Sequence, residues 1–467
     1  MAHGKKIDMK STITFYGGAG SVTGANFLLD TLSTSSGQAG AKIVVDCGTV
    51  AQEMVCDTVN FETFAQNVIH ADALIITHAH ADHIGRIPRL VREGFRGPIY
   101  STGATRDIAE IMFRDALGIM QVEAEKHGCD VLYEQRDAEQ AITQWQSRGY
   151  HEPFTIKDVG VEFQDAGHIL GSALVRLTRD GRTIIFTGDL GNTPEPLLRD
   201  TESPAGANYL VMESVYGDRL HEERAARTES LRSAIEETRA KNGVLLIPSF
   251  SVERTQVLLY EINNMVEDGS MRPIPIYLDS PLANRITPVF RAYAEWFNKE
   301  ASARIQAGDD LFTFKGLSIT KNKHDSEAIH KEENPKVIIA GAGMSAGGRI
   351  RSHEQYYLGD KKASVLFVGY QAPGTLGRRL QDGAPNVSVD GEHIRVHAQI
   401  GSLTGYSGHA DRDQLMNFVE NAGESLEKVF VTMGETKASL FLGQRIKDFL
   451  GVEAVVPKKA EVQEINF

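Results

Sequence analysis

The chain has 467 residues, 41% hydrophobic and 24% charged, an ordinary globular balance that is too long for one core, so two compact units are expected. The formal net charge of −13 opposes non-specific adhesion to nucleic acid, so a polyanionic substrate would need a local basic groove or bound cations. No apolar run reaches membrane-spanning length and the start lacks a signal-peptide core; together with Cys47, Cys56 and Cys129, read as reduced thiols, this gives a cytoplasmic protein without a membrane partner.

Short β-branched runs at residues 11–15, 42–45, 73–77 and 183–186 alternate with glycine-marked turns and read as strands. The last three end beside Asp46, His78 and Asp189, the arrangement expected of a site on the loops at one rim of a sheet. Residues 84–93 and 105–127 carry apolar positions at helical spacing. A second α/β unit is expected after Glu213: helices at 222–241 and 255–265, and buried strands at 244–248, 274–278, 336–340 and 364–368. This alternation predicts a parallel sheet covered on both faces. Ligand-type residues return in Ser407-Gly408-His409-Ala410-Asp411, so the last segment should rejoin the first unit.

The run His78-Ala79-His80-Ala81-Asp82-His83 is the strongest chemical signal. Clustered imidazoles and carboxylates beside a buried strand cost desolvation unless something pairs them, and this nitrogen–oxygen mix suits zinc. His78 and His80, two apart, would diverge on a helix, so the run is a loop with Asp82 and His83 at the mouth of the next helix. Gly167-His168 and Gly188-Asp189 supply two further ligands. The set exceeds what one ion needs, so two metals sharing a carboxylate are expected, activating water as hydroxide for hydrolysis. Asp46 reads as an acceptor that fixes a histidine tautomer rather than as a ligand.

Thr77 to Gly85, Gly167-His168 and Thr187-Gly188-Asp189 resemble the metallo-β-lactamase superfamily. Glu213-Ser214-Val215-Tyr216-Gly217, Ile247-Pro248-Ser249-Phe250, Tyr277-Leu278-Asp279-Ser280-Pro281, Gly343 to Arg349, Gly369-Tyr370-Gln371, Gly374 to Arg378 and Ser407 to Asp411 narrow the likeness to the β-CASP nucleases. The resemblance implies an αββα metallo-β-lactamase sandwich (1–216 and 395–467) interrupted by an inserted α/β β-CASP domain with a parallel sheet (217–394). One zinc would take His78, His80, His168 and Asp189, and the other Asp82, His83 and the bridging Asp189. Glu213 would orient His409, which protonates the leaving 3′ oxygen; Asp82, Glu213 and His409 are the expected catalytic residues. Ser249, Arg254, Arg349 and Arg378 lie in family-like loops and are the expected substrate contacts, arginine being suited to phosphate.

One position departs from the family. Its third motif, Val-His-Gly-Glu, reads Val431-Thr432-Met433-Gly434-Glu435 here, and a thioether is a poor zinc ligand. The second metal should then be weakened, absent or completed by water, with Mn2+ as an alternative to Zn2+. The reading is a zinc-dependent hydrolase of single-stranded RNA, cutting internally or from the 5′ end, with a homodimer left open. Its alternatives are a weak or silent RNA-binding member of a processing complex, and a DNA-directed β-CASP nuclease.

Overall fold

The computed structural model describes residues 10–31, 40–50, 58–221, 224–372 and 374–467. The chain divides into two compact units, one of residues 1–193, 200–220 and 409–467, the other of residues 194–199 and 221–408.

The first unit holds two seven-stranded sheets. In one, Lys10–Gly17 pairs antiparallel with Asn26–Thr31 on one side and with Val462–Asn466 on the other, so the two ends of the sequence meet in a single ladder. Lys42–Val45 joins Asn26–Thr31 antiparallel, and Ala73–Ile75, Ile99–Ser101 and Trp145–Ser147 extend the sheet from it in parallel. The other sheet runs from Phe154–Ile156 through Val159–Asp165, Ala173–Arg179, Arg182–Phe186, Tyr209–Met212 and Lys428–Val431 to Glu453–Val455. Val159–Asp165 alternates buried and half-buried side chains, as a strand with one face on a core must.

Phe15, Phe27 and Val45 of the first sheet meet Phe163, Phe186 and Phe430 of the second in one buried cluster. Phe15 and Phe430 lie 5.5 Å apart and Phe27 and Phe186 6.1 Å apart between ring centres. The outer face of the second sheet buries Leu415 and Phe418 of Arg412–Glu420 and Leu442 of Thr436–Arg445. Beside the first sheet, Phe113 of the helix Gly103–His127 packs 6.3 Å from Trp145. Helix, sheet, sheet, helix is therefore the layering.

The second unit is built on a six-stranded parallel sheet in the order Leu317–Ile319, Ile276–Asp279, Lys336–Ala340, Val244–Pro248, Ala363–Phe367, Gln399–Ser402. Val244–Pro248 and Lys336–Ala340 are buried along their whole length, the pattern of strands covered on both faces. The sequence reading returned the chain to the first domain at residue 395. Backbone pairing of Gln399–Ser402 with Ala363–Phe367 instead keeps it in the second unit as far as Gly408.

Among the described residues no helix is long and apolar enough to cross a membrane. Cys47 is a buried free thiol whose pKa burial pushes up to about 12. Cys129 is disulfide-bonded, which corrects its reading as a reduced thiol. It follows Gly128, whose φ of 70° ends the long helix, and is half-exposed. Cys56 lies outside the described residues.

Candidate metal centre

Four loops of the first unit build the site. The strand Ala73–Ile75 ends two residues before Thr77, and the loop Thr77–His80 runs into a short helix, Ala81–Ile84, capped by His80. Backbone bonds clamp this loop from one side: Cys47 N–H to His83 O at 2.8 Å and Thr49 N–H to Ala81 O at 3.0 Å. His168 and Asp189 enter on turns with positive φ at Gly167 (65°) and Gly188 (54°), a backbone state that side chains disfavour. Gly191 N–H bonds Ala166 O at 2.9 Å, and a Cβ on Gly191 would lie 2.0 Å from Gly167 O. The turns carrying His168 and Asp189 are thus locked together through glycine contact.

Three histidine nitrogens and one carboxylate oxygen converge. His80 Nδ1 lies 3.2 Å from His78 Nε2 and 3.2 Å from His168 Nε2. Asp189 Oδ2 is 3.3 Å from His78 Nε2 and 3.4 Å from His168 Nε2. A tetrahedron with metal–ligand bonds of about 2.0–2.1 Å has edges of roughly 3.3 Å, so these four donors have the spacing that a divalent cation demands. Their protonation fits as well. Burial holds the His80 and His168 imidazoles well below their usual range and, with His83, also lowers His78. For Asp189 burial acts upward, but His83 and His78 prevail and keep the carboxylate ionised. Neutral imidazoles facing one another around a carboxylate offer lone pairs to a cation.

A second, smaller set shares Asp189. Its Oδ1 is 3.4 Å from His83 Nε2, and Asp82 Oδ2 is 3.9 Å from the same nitrogen. His83 is oriented from behind: Asp46 Oδ2 accepts from Nδ1 at 2.7 Å, so the proton sits on Nδ1 and Nε2 faces Asp189. Asp46 also accepts from Thr77 N–H and Thr77 Oγ1–H, each at 2.8 Å, from a backbone with φ of 60°. Thr77 Oγ1 in turn lies 3.1 Å from His78 Nδ1 and can accept its proton, turning Nε2 toward the cluster. Sequence reasoning missed this part for Thr77. Its only signal was a hydroxyl residue at a buried strand end, next to a histidine.

Met433 adds nothing to the second set. It is 1% exposed, packs in the sandwich core beside Gly18 and Phe27, and donates its backbone N–H to Gly18 O at 2.6 Å.

Beside Asp189 lies the pair His409–Glu213. His409 Nδ1 is 3.2 Å from Glu213 Oε1 and 3.9 Å from Asp189 Oδ2, and its ring centre is 4.7 Å from that of His168. Glu213 is fully buried and accepts from Leu190 N–H at 2.6 Å and Val215 N–H at 3.3 Å. The His409 side chain is 22% exposed. Burial lowers its pKa, but the Glu213 carboxylate outweighs that and raises it to about 9.

The four expected substrate contacts lie in the second unit. Ser249 and Arg254 are buried after the strand Val244–Pro248. Arg349 is committed to the buried Asp279, which also bonds Ser326, Thr320 and His353. Arg378 pairs at 2.9 Å with Asp382, the C-cap residue of its helix Leu376–Gln381, and is partly exposed.

Comparison with known proteins identifies the family. Residues 37–212 match a metallo-beta-lactamase superfamily domain, residues 255–380 a Beta-Casp domain, and residues 393–457 a Zn-dependent metallo-hydrolase RNA specificity domain. A protein named Ribonuclease TTHA0252, from Thermus thermophilus, is 34% identical over 92% of this chain and 94% of its own length. Transcription termination factor FttA of Methanocaldococcus jannaschii is 31% identical over 97% of this chain and 72% of its own. An RNase J-like protein of the same organism is 29% identical over 91% and 94%. A crystal structure of a protein of unknown function from Enterococcus faecalis shares the fold, with a TM-score of 0.56 at 11% identity over 98% of this chain and 100% of its own. The chain belongs to the β-CASP branch of the metallo-β-lactamase superfamily of metal-dependent hydrolases.

Proposed function

We propose that the chain hydrolyses phosphodiester bonds of single-stranded RNA with zinc, internally or from a 5′ end. The observation that carries this reading is the convergence of His78, His80, His168 and Asp189 at 3.2–3.4 Å, with the His409–Glu213 pair alongside. The name of the ribonuclease relative and the RNA specificity domain support RNA as the substrate class.

His78, His80, His168 and Asp189 would hold one ion; Asp82, His83 and the other oxygen of Asp189 would hold a second. Bound divalent ions supply Lewis acidity, which lowers the pKa of water and offsets charge on phosphate oxygens. Asp46 and Thr77 keep His83 and His78 in the tautomers that present Nε2. His409, kept protonated by Glu213, delivers its proton to the leaving 3′ oxygen, and Glu213 in turn is held by two backbone N–H groups. With Met433 in the core, the second set has three residues, and its ion should bind more weakly than the first. We assign no step to Ser249, Arg254, Arg349 or Arg378.

The test is cleavage of an unstructured single-stranded RNA under added zinc or manganese, with His80→Ala and Asp82→Ala as controls. Metal-dependent loss of RNA in the wild type, absent from both variants, is expected. Intact RNA that is nonetheless bound would favour the silent RNA-binding member that Met433 suggests, and selective loss of DNA would favour the DNA-directed nuclease.

A further inference from the structure

The helix Thr436–Arg445 and the wider turns Ile446–Leu450 that continue it bury Ala438, Ser439, Leu442 and Ile446 against the second sheet. The opposite face is unusual. Leu440, Phe441 and Phe449 are 56%, 41% and 67% exposed. Arg445 lies between the two rings, its guanidinium carbon 5.9 Å from the centre of Phe441 and 4.6 Å from that of Phe449. Phe441, Arg445 and Phe449 follow one another at four-residue spacing, so they form one stripe.

Charge distinguishes this stripe from a bare apolar patch. Lys437 and Lys447 are exposed on the same segment; its acids are Glu435 at the N-cap and Asp448, which accepts from Gln444 at 2.8 Å. The helical stretch after Glu435 therefore carries three cations against one acid, on a chain whose net charge is −13. Aromatic rings interleaved with cations are what a single-stranded polynucleotide needs: bases stack on the rings and phosphates meet the cations.

Its position within the first unit is also defined. A Cβ on Gly217 would lie 2.9 Å from Ala438 O and 3.0 Å from Leu442 Cβ, so the segment Tyr216–Arg219 rests on the start of this helix. Tyr216 in turn sits 6.2 Å from the His409 ring, and Arg219, paired with Asp218, lies 5.6 Å from the Tyr216 ring. The helix is thus linked to the His409 ring through the packed segment Tyr216–Arg219.

We propose that the face formed by Phe441, Arg445 and Phe449 is a docking track for single-stranded RNA outside the catalytic centre, on which bases stack and which favours long substrates over short ones. The assignment rests on the RNA reading of the metal site and adds to it the surface that selects for length.

The experiment compares wild type with the double variant F441A/F449A and with Arg445→Gln, using oligouridylates of about 4 and about 16 nucleotides, the range of known single-strand sites. Direct binding is scored separately from cleavage. The expected result for F441A/F449A is at least about a tenfold loss of affinity for the longer RNA and a matching rise in KM, with the advantage over the shorter RNA largely removed. Arg445→Gln should flatten the salt dependence of binding. Unchanged affinity for the longer RNA in F441A/F449A would overturn the proposal. So would a dimer-to-monomer change by sedimentation with RNA affinity unaltered, which would make the face a contact between copies. Wild type that binds the longer RNA through this face yet cuts neither would remove the ribonuclease reading and leave the track standing. Both substituted rings are exposed, so thermal unfolding should stay close to wild type and verify that the variant is folded.

Discussion

Asp46→Asn tests how the second set of ligands is built. The carboxylate accepts three hydrogen bonds: Thr77 N–H on Oδ1, and Thr77 Oγ1–H and His83 Nδ1–H on Oδ2. An asparagine has nearly the same shape and tolerates the left-handed φ of 60° at this position, so the backbone need not change. Only one of its two terminal atoms accepts. With that oxygen on Thr77 N–H, the amide N–H2 faces the threonine hydroxyl and His83 Nδ1. The hydroxyl can rotate; the imidazole can answer only by moving its proton to Nε2, the nitrogen that faces Asp189 and Asp82. A protonated Nε2 cannot ligate. Loss of such outer support typically costs about 10–100-fold in metal affinity or activity, and a buried mismatched donor costs about 1–3 kcal/mol of stability. Isothermal titration of metal-free protein with zinc should show the weaker binding event reduced by that factor and the tighter one retained, with the urea midpoint lowered. Two binding events of wild-type affinity in Asp46→Asn would refute the tautomer argument.

Gly188→Ala would place a methyl 2.6 Å from the Thr77 side chain at a φ of 54°, so it should cost about 1–3 kcal/mol and shrink the stabilisation gained from added metal, read as the difference in unfolding midpoint with and without chelator. Met433→Ala should lose about 2–5 kcal/mol by opening a cavity in the sandwich core, while the metal bound per chain stays as in wild type by mass spectrometry. Burial raises the Glu354 carboxyl from 4.5 to about 8, against its bond to Ser345. The folded state therefore keeps a proton that the unfolded chain has released, and this contribution to stability is complete below pH 4.5 and declines until pH is about 8. Urea unfolding from pH 5 to 8 should show a slope on the order of a few kcal/mol over that window, and Glu354→Gln should flatten it.

The ligands were legible because their chemistry is local in sequence. His78 to His83 sit on one loop, and His168 and Asp189 each follow a glycine that the fold uses for a left-handed turn. The parallel strands of the second unit were legible as unbroken apolar runs, which burial on both faces requires. Val462–Asn466 and Gln399–Ser402 were not, because each is short and lacks a run of buried residues, and each is held by backbone pairing to a partner far away in sequence. Thr77 escaped notice because its importance lies in a three-way bond to Asp46 and His78 that exists only once the fold has brought Asp46 alongside. Nothing in the local sequence singles out Phe441 and Phe449; only their exposure, with Arg445 between them, sets them apart.

Zinc K-edge absorption on protein loaded with a single equivalent of zinc bears most directly on the site. The expected spectrum has three imidazole nitrogens and one carboxylate oxygen at about 2.0–2.2 Å, and His78→Ala combined with His168→Ala abolishes tight loading. Full retention of tight zinc in that double variant, or a sulfur ligand in the spectrum, would contradict it.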